Sequence, residues 1–251
     1  MGTRLAGKTA LVTGSTSNIG RAIAVAFGAQ GAHVVVSGRD STRGGAVLDE
    51  IRRSGGRADF VAADLDGSEA VSRELAADAT RALGGRIDIL VNNAGIFPPA
   101  TTATVDSDMF DRVYAVNVKA PFFLTAAVAP AMAARGGGVI LNLGSWVARL
   151  SLPVGALYAS TKGAMETLTR AWSSEFGPSG VRVVAVSPGV INSDPDYPSG
   201  RFMRGTPAGG VGTPEAIAHA AVFLASDEAS FVHGAVLDVD GGRTGVAVVA
   251  G

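Results

Sequence analysis

The chain has 251 residues, of which 47% are hydrophobic and 17% charged, with a net charge of -1 and no cysteine. That composition suits one large core without a break, so a single domain over residues 1–251 is expected, and it excludes disulfides, thiolate metal centres and cysteine nucleophiles. The arginines are scattered singly, which leaves no electrostatic footprint for nucleic acid or an anionic membrane and favours a small-molecule partner.

The amino terminus, Met1 to Ala6, has no charged-then-apolar signal pattern, and no run near eighteen apolar residues stands out. With the missing cysteines, this predicts a cytoplasmic protein. Residues 8–13 (KTALVT) read as a short buried strand. Gly14-Ser15-Thr16-Ser17-Asn18-Ile19-Gly20 then turns the chain into a helix running to Gln30. Such a turn points backbone N–H groups and a positive helix end at a pyrophosphate, although an ordinary tight turn has the same look.

The second strand, residues 33–37, ends in Gly38-Arg39-Asp40. An acid at the end of this strand would hold the ribose 2′-OH of NAD, whereas an arginine just past it pairs with the 2′-phosphate of NADP. Gly38 holds the acid position and Arg39 follows, so NADP is expected, with Asp40 the argument for NAD. His33, His219 and His233 read as packing or surface residues, and no metal site is visible.

Helix 41–54, strand 58–63 ending in Asp64-Leu65, helix 68–83 and strand 87–91 ending in Asn92-Asn93-Ala94-Gly95 continue the alternation. Apolar strands separated by helix-length segments predict an α/β fold: a Rossmann-type, doubly wound parallel sheet of about seven strands, with ligands at the strands' carboxyl ends. Helix 106–134 carries no charge between Lys119 and Arg135, which predicts burial against the sheet on one side and another subunit on the other. Asn117 is a poor helix former within it, suited to a catalytic place or to satisfying a neighbouring backbone group.

Strand 139–143 delivers Ser145, and Pro153-Val154-Gly155 precede a helix over 156–176 holding Tyr158 and, one turn on, Lys162. A lysine beneath a tyrosine favours phenolate, so the spacing predicts a phenol drawn from about 10 toward neutrality for acid/base work, with Ser145 holding the same substrate oxygen. The bland alternative is a solvated helix face with a snorkelling lysine. Strand 181–187 leads into Pro188-Gly189-Val190-Ile191-Asn192-Ser193. Residues 192–212 are expected to form a substrate loop, before helix 214–224 and strand 235–239.

Taken together, Thr13-Gly14-x-x-x-Asn18-Ile19-Gly20, Asn92-Asn93-Ala94-Gly95, Asn117, Ser145, Tyr158-x-x-x-Lys162, Pro188-Gly189 and Val239-Asp240-Gly241-Gly242 resemble the short-chain dehydrogenase/reductase family over essentially the whole chain. The resemblance implies Tyr158 as general acid/base, and Lys162 as the residue that lowers its pKa and holds the nicotinamide ribose. It implies Ser145 as the group polarising the carbonyl and Asn117 as the holder of a proton-relaying water. Asp64 and Leu65 would flank the adenine and Asn93, Ala94 and Gly95 line the adenosine side. Ile191 would meet the carboxamide, and Gly14, Ser15, Ser17, Asn18, Ile19, Gly20, Pro188, Gly189 and Ser193 would complete the cofactor site. A homotetramer is implied as well.

Two departures matter. Asn18 stands where the family has glycine, and asparagine best tolerates left-handed dihedrals, so the turn is expected to survive. Ser193 replaces a common threonine. Phe97, Trp146, Leu152, Tyr197, Phe202 and Met203 suggest an apolar or aromatic carbonyl substrate, though each suits a core equally. Arg135 and Arg170 alone make no docking patch for an acidic carrier protein, which favours a free small molecule. An NAD-dependent alcohol dehydrogenase and a non-catalytic dinucleotide sensor remain the alternatives. An extended-class epimerase would carry a different glycine spacing and a larger carboxyl-terminal domain.

Overall fold

The structure, a computed structural model, describes residues 3–150, 152, 155–191 and 199–247. Ser193, Tyr197 and the turn residues Pro153 and Val154 lie outside the described residues, as does the first third of the expected substrate loop.

Strands β1 (Thr9–Val12), β2 (His33–Gly38), β3 (Arg57–Ala62), β4 (Ile89–Asn92), β5 (Gly138–Leu143), β6 (Val181–Pro188) and β7 (Val236–Val239) alternate with helices α1 (Asn18–Ala29), α2 (Ser41–Arg53), α3 (Glu69–Ala82), α6 (Ala156–Phe176) and α7 (Pro214–Ala225). Between β4 and β5 lie α4 (Ser107–Tyr114), a π-helical turn over Ala115–Lys119, and α5 (Ala120–Ala134). The seven strands are parallel, as the sequence predicts, and lie in the order β3-β2-β1-β4-β5-β6-β7. The order reverses between β1 and β4, which opens a crevice at their carboxyl ends.

Strands flanked by helices bury both faces, so β1, β4 and β6 have no exposed residue. One core layer joins Phe27 and Ile23 of α1 to Ile217 of α7 and alternate strand residues such as Val34 and Leu141. The other joins Leu124 and Met132 of α5 to Met165 and Trp172 of α6 beneath Leu11 and Ile140.

The run Ser107–Ala134 is long and apolar enough to cross a bilayer, contrary to the expectation that no such span exists. Here that apolarity serves the core, because Leu124, Ala129 and Met132 are fully buried against the sheet. Within the expected 192–212 loop, Ser199–Met203 forms a 3₁₀ helix, and a parallel bridge between Ile191 and Gly212 closes its base.

Candidate active site

The glycine turn and the turn after β4 are built as one piece. The Thr13 hydroxyl donates to the Val91 carbonyl at 3.1 Å and accepts the N–H groups of Asn93 and Ala94 at 3.0 Å each. Asn93 returns the hold, its Nδ2 donating to the carbonyls of Thr13 and Gly14 at 2.7 and 3.1 Å. A Cβ on Gly20 would lie 2.4 Å from Asn93 Nδ2 and from the Gly14 carbonyl, so only glycine admits this approach. Asn18 takes φ 46°, the only positive φ of a non-glycine among the described residues, and the turn survives the departure. Ser17, the N-cap of α1, makes no side-chain capping bond, and the first turn of α1 holds no acid. The first N–H groups of α1 are thus left to the cleft, which suits a phosphate.

At the end of β2, Gly38 supplies no acid, and a Cβ there would sit 2.8 Å from Thr16 Cγ2, so a larger residue would require the Thr16 side chain to shift. Arg39 lies on the cleft wall, loosely paired with Asp64 at 3.7 Å, both well exposed. The Asp40 carboxylate is taken up elsewhere. It caps α2 by accepting the Arg43 N–H at 3.0 Å and pairs with Arg43 Nε at 2.6 Å, and these bonds hold it below the usual carboxylate range. Thr16 and Arg43 also line the cleft. Neither stands out in the sequence, because Arg43 is placed by the Asp40 cap of α2 and Thr16 by the approach of the glycine turn to Gly38.

Ser145 follows β5 by two residues and begins a 3₁₀ turn over Trp146–Ala148. Gly155, at φ 106°, starts α6 and sets Tyr158 and Lys162 on its inner face. Lys162 Nζ donates to the Leu143 carbonyl at 2.8 Å and lies 5.5 Å from the Tyr158 ring centroid. The expected depression of the phenol does not occur in this arrangement. Burial pushes Tyr158 up to about 12, with the Ser145 hydroxyl pulling the other way, and burial brings Lys162 down to about 8. The i, i+4 spacing gives proximity, but the ammonium is committed to the Leu143 carbonyl and desolvation sets the direction for the phenol.

Asn117 sits in the π-helical turn and is buried. Its Oδ1 accepts the Ile96 N–H at 2.8 Å, and its Nδ2 donates to the Ile96 carbonyl at 3.0 Å and to Thr161 Oγ1 at 3.2 Å. Both amide donors are therefore engaged with protein groups.

Gly14, Ser145, Tyr158 and Lys162 line one cleft of about 1100 Å³, together with Arg39, Asp64, Leu65 and Ala94. Ser17, Asn18, Ile19, Gly20, Asn93, Gly95, Pro188, Gly189 and Ile191 line it too. Ser15 does not: its hydroxyl donates to the Val12 carbonyl at 2.6 Å and accepts the Ser37 N–H at 3.0 Å, locking β1 to β2. Around Ser145 the walls are Phe97, Trp146, Leu152 and Phe202. Met203 is buried and packs near Gly241 instead. No cluster of three potential metal ligands occurs among the described residues. The helix amino terminus, the glycine contacts and Arg39 make a donor set that fits a nicotinamide dinucleotide.

The family described as enoyl-(acyl carrier protein) reductase matches residues 14–244. A solved short-chain dehydrogenase/reductase family protein is 43% identical with a TM-score of 0.87, over 97% of this chain and all of that one. A 7α-hydroxysteroid dehydrogenase complexed with NADH and 7-oxo glycochenodeoxycholic acid is 39% identical with a TM-score of 0.89, over 95% of each chain. A 3-oxoacyl (acyl-carrier-protein) reductase from Agrobacterium tumefaciens C58 with NADP bound is 32% identical with a TM-score of 0.89, over 95% of each chain.

Proposed function

The chain belongs to the short-chain dehydrogenase/reductase family, and we propose that it interconverts a ketone and its secondary alcohol with NADP(H), through Ser145, Tyr158, Lys162 and Asn117. The observation that carries the reading is the sharing of one cleft by two groups of residues. One is the glycine turn with Arg39, the other the Ser145, Tyr158 and Lys162 set.

The α1 amino terminus and the Gly14–Gly20 turn would hold the pyrophosphate, Arg39 the 2′-phosphate, Asp64 and Leu65 the adenine, and Lys162 and Ile191 the nicotinamide end. Ser193, outside the described residues, is proposed for the same end. A bound nicotinamide supplies hydride to the carbonyl carbon, or takes it from the alcohol carbon. Tyr158, protonated at neutral pH because burial holds its pKa near 12, gives its phenolic proton to the substrate oxygen as negative charge develops there. Ser145 donates a hydrogen bond to that oxygen. The Lys162 ammonium then stabilises the phenolate left behind. Asn117 positions this machinery by holding Ile96 and Thr161.

NADP is favoured over NAD because Gly38 supplies no acid at the strand end and the Asp40 carboxylate is paired with Arg43. The 39%-identical neighbour complexed with NADH keeps NAD as the second reading. A cytoplasmic homotetramer with a free small-molecule substrate is proposed alongside. Phe110 and Phe122 on the α4–α5 face, and Phe231 and Leu237 near the β7 edge, are exposed apolar surfaces suited to subunit contacts.

The test is the initial rate of NADPH and NADH oxidation against ketones, 3-oxoacyl thioesters and quinones, with Tyr158→Phe alongside. Turnover preferring NADPH and reduced at least about a hundredfold in the variant is expected. Unchanged turnover in the variant would remove Tyr158 from the mechanism. Tight NADPH binding without turnover would favour the sensor reading.

A further inference from the structure

Resting on the carbonyl-reducing reading above, we propose that Phe97 selects the substrate. Its ring is the landing face for the flat, uncharged body of a cyclic or aryl ketone, or the matching alcohol, whose oxygen lies against Tyr158.

Three observations carry this. First, the Phe97 and Tyr158 rings lie 4.7 Å apart between centroids, tilted by 50°, a spacing typical of aromatic pairs. Tyr158 is half-buried, whereas Phe97 stays 48% exposed on the cleft wall. A ring attached to a carbonyl at the Tyr158 hydroxyl therefore meets Phe97 next.

Second, the loop that carries this exposed aromatic is tied down on both sides of it. Asn117 holds both backbone polar groups of Ile96, and the Ala100 carbonyl accepts the Gly155 N–H at 3.0 Å. Gly155 also makes room for the ring. A Cβ there would lie 3.0 Å from Phe97 Cε2, on a backbone already at φ 106°. An apolar surface pinned in place before binding loses little freedom when a ligand lands on it.

Third, the walls on this side, Trp146, Leu152, Ile191 and Phe202, are apolar, with Arg243 against the Trp146 ring at 5.2 Å and Arg201 against the Phe202 ring at 4.8 Å. Of the charged wall residues, Arg39, Asp40, Arg43 and Asp64 stand where the dinucleotide's ribose and adenine are placed, Lys162 lies one turn from Tyr158, and Asp66, Asp111 and Arg112 also line the cleft, the last two on α4 just before the π turn.

The experiment compares acetophenone with acetone as substrates for the NADPH-loaded wild type, Phe97→Ala, Phe97→Leu and Phe97→Tyr, with a calorimetric titration of acetophenone into each protein. In Phe97→Ala, the ratio of kcat/KM for acetophenone over acetone is expected to fall about tenfold, equivalent to about 1.4 kcal/mol. The loss should lie in KM, with the tyrosine variant restoring the ratio and the leucine variant intermediate. The calorimetric Kd for acetophenone should weaken by about the same factor. An unchanged ratio and Kd would overturn the proposal, as would a best substrate of the open-chain acetoacetyl thioester kind that is indifferent to Phe97. If no ketone turns over, the proposed function falls, while the calorimetric arm still decides the role of Phe97.

Discussion

The Asn117 side chain grips both backbone polar groups of Ile96, accepting its N–H at 2.8 Å and donating to its carbonyl at 3.0 Å. A π turn in the helix and the loop after β4 are thereby joined through one buried amide. Asn117→Ala leaves the Ile96 pair without its partner, and is expected to cost about 1–3 kcal/mol in a urea titration. Turnover should fall with it, since the same amide supports Thr161, the residue before Lys162. Asn117→Asp keeps the acceptor and loses the donor, so it should fall between alanine and wild type in both measurements.

Arg39 and Asp40 are neighbours with separate tasks. Arg39→Ala is expected to raise the KM for NADPH about tenfold or more, with the KM for NADH changed less than about threefold, because a 2′-phosphate contact is lost only in the first case. Asp40→Ala should leave that ratio alone and lower Tm slightly, since its carboxylate caps α2 and pairs with Arg43. A large shift in coenzyme preference from Asp40→Ala would reverse this assignment.

The two directions of the reaction should differ in pH dependence. With Tyr158 at about 12, the phenol needed for reduction is present throughout the physiological range. Reduction should therefore hold steady up to about pH 8, then decline as Lys162 loses its charge near its own value of about 8. Oxidation needs the phenolate, whose small fraction grows about tenfold per pH unit below its pKa, so kcat/KM for an alcohol should climb with pH. Parallel profiles for both directions would contradict this.

Lys162 is held for function at a cost in stability. Its pKa is lower in the folded chain, about 8, than its ordinary 10.5, so between those values the unfolded chain binds more protons and folding stability rises with pH. Below about pH 8 the full penalty of the buried ammonium is present. Lys162→Met should therefore be inactive yet melt about 2–5 °C higher at pH 7, even without the bond to the Leu143 carbonyl. That advantage should shrink as pH rises past about 8. Tyr158 acts in the opposite sense at higher pH. Between its ordinary 10.0 and about 12 the folded chain keeps a proton the unfolded chain loses, so stability falls there, and Tyr158→Phe should remove that fall.

Local rules made much of this molecule legible from its residues. The α6 boundaries expected at Ala156 and Phe176 match the structure, as do the β/α alternation and the strand ends that carry Gly14, Arg39, Asp64 and Ser145. Periodicity, capping and the steric freedom of glycine act within a few residues, and Asn18 at φ 46° obeys the same rule. What could not be read depended on groups far apart in the chain. The π turn at Asn117 lies inside a continuous helical pattern and is accompanied by the hold on Ile96, 21 residues away. Ser15 turns from the cleft because its hydroxyl finds Ser37, 22 residues on. The rise of the Tyr158 pKa and the pinning of Phe97 between Asn117 and Gly155 arise only once the sheet, α6 and the β4 loop close around them. Sequence spacing brings side chains near one another, but desolvation and hydrogen-bond commitment are properties of the surrounding volume, and the tertiary structure alone decides those.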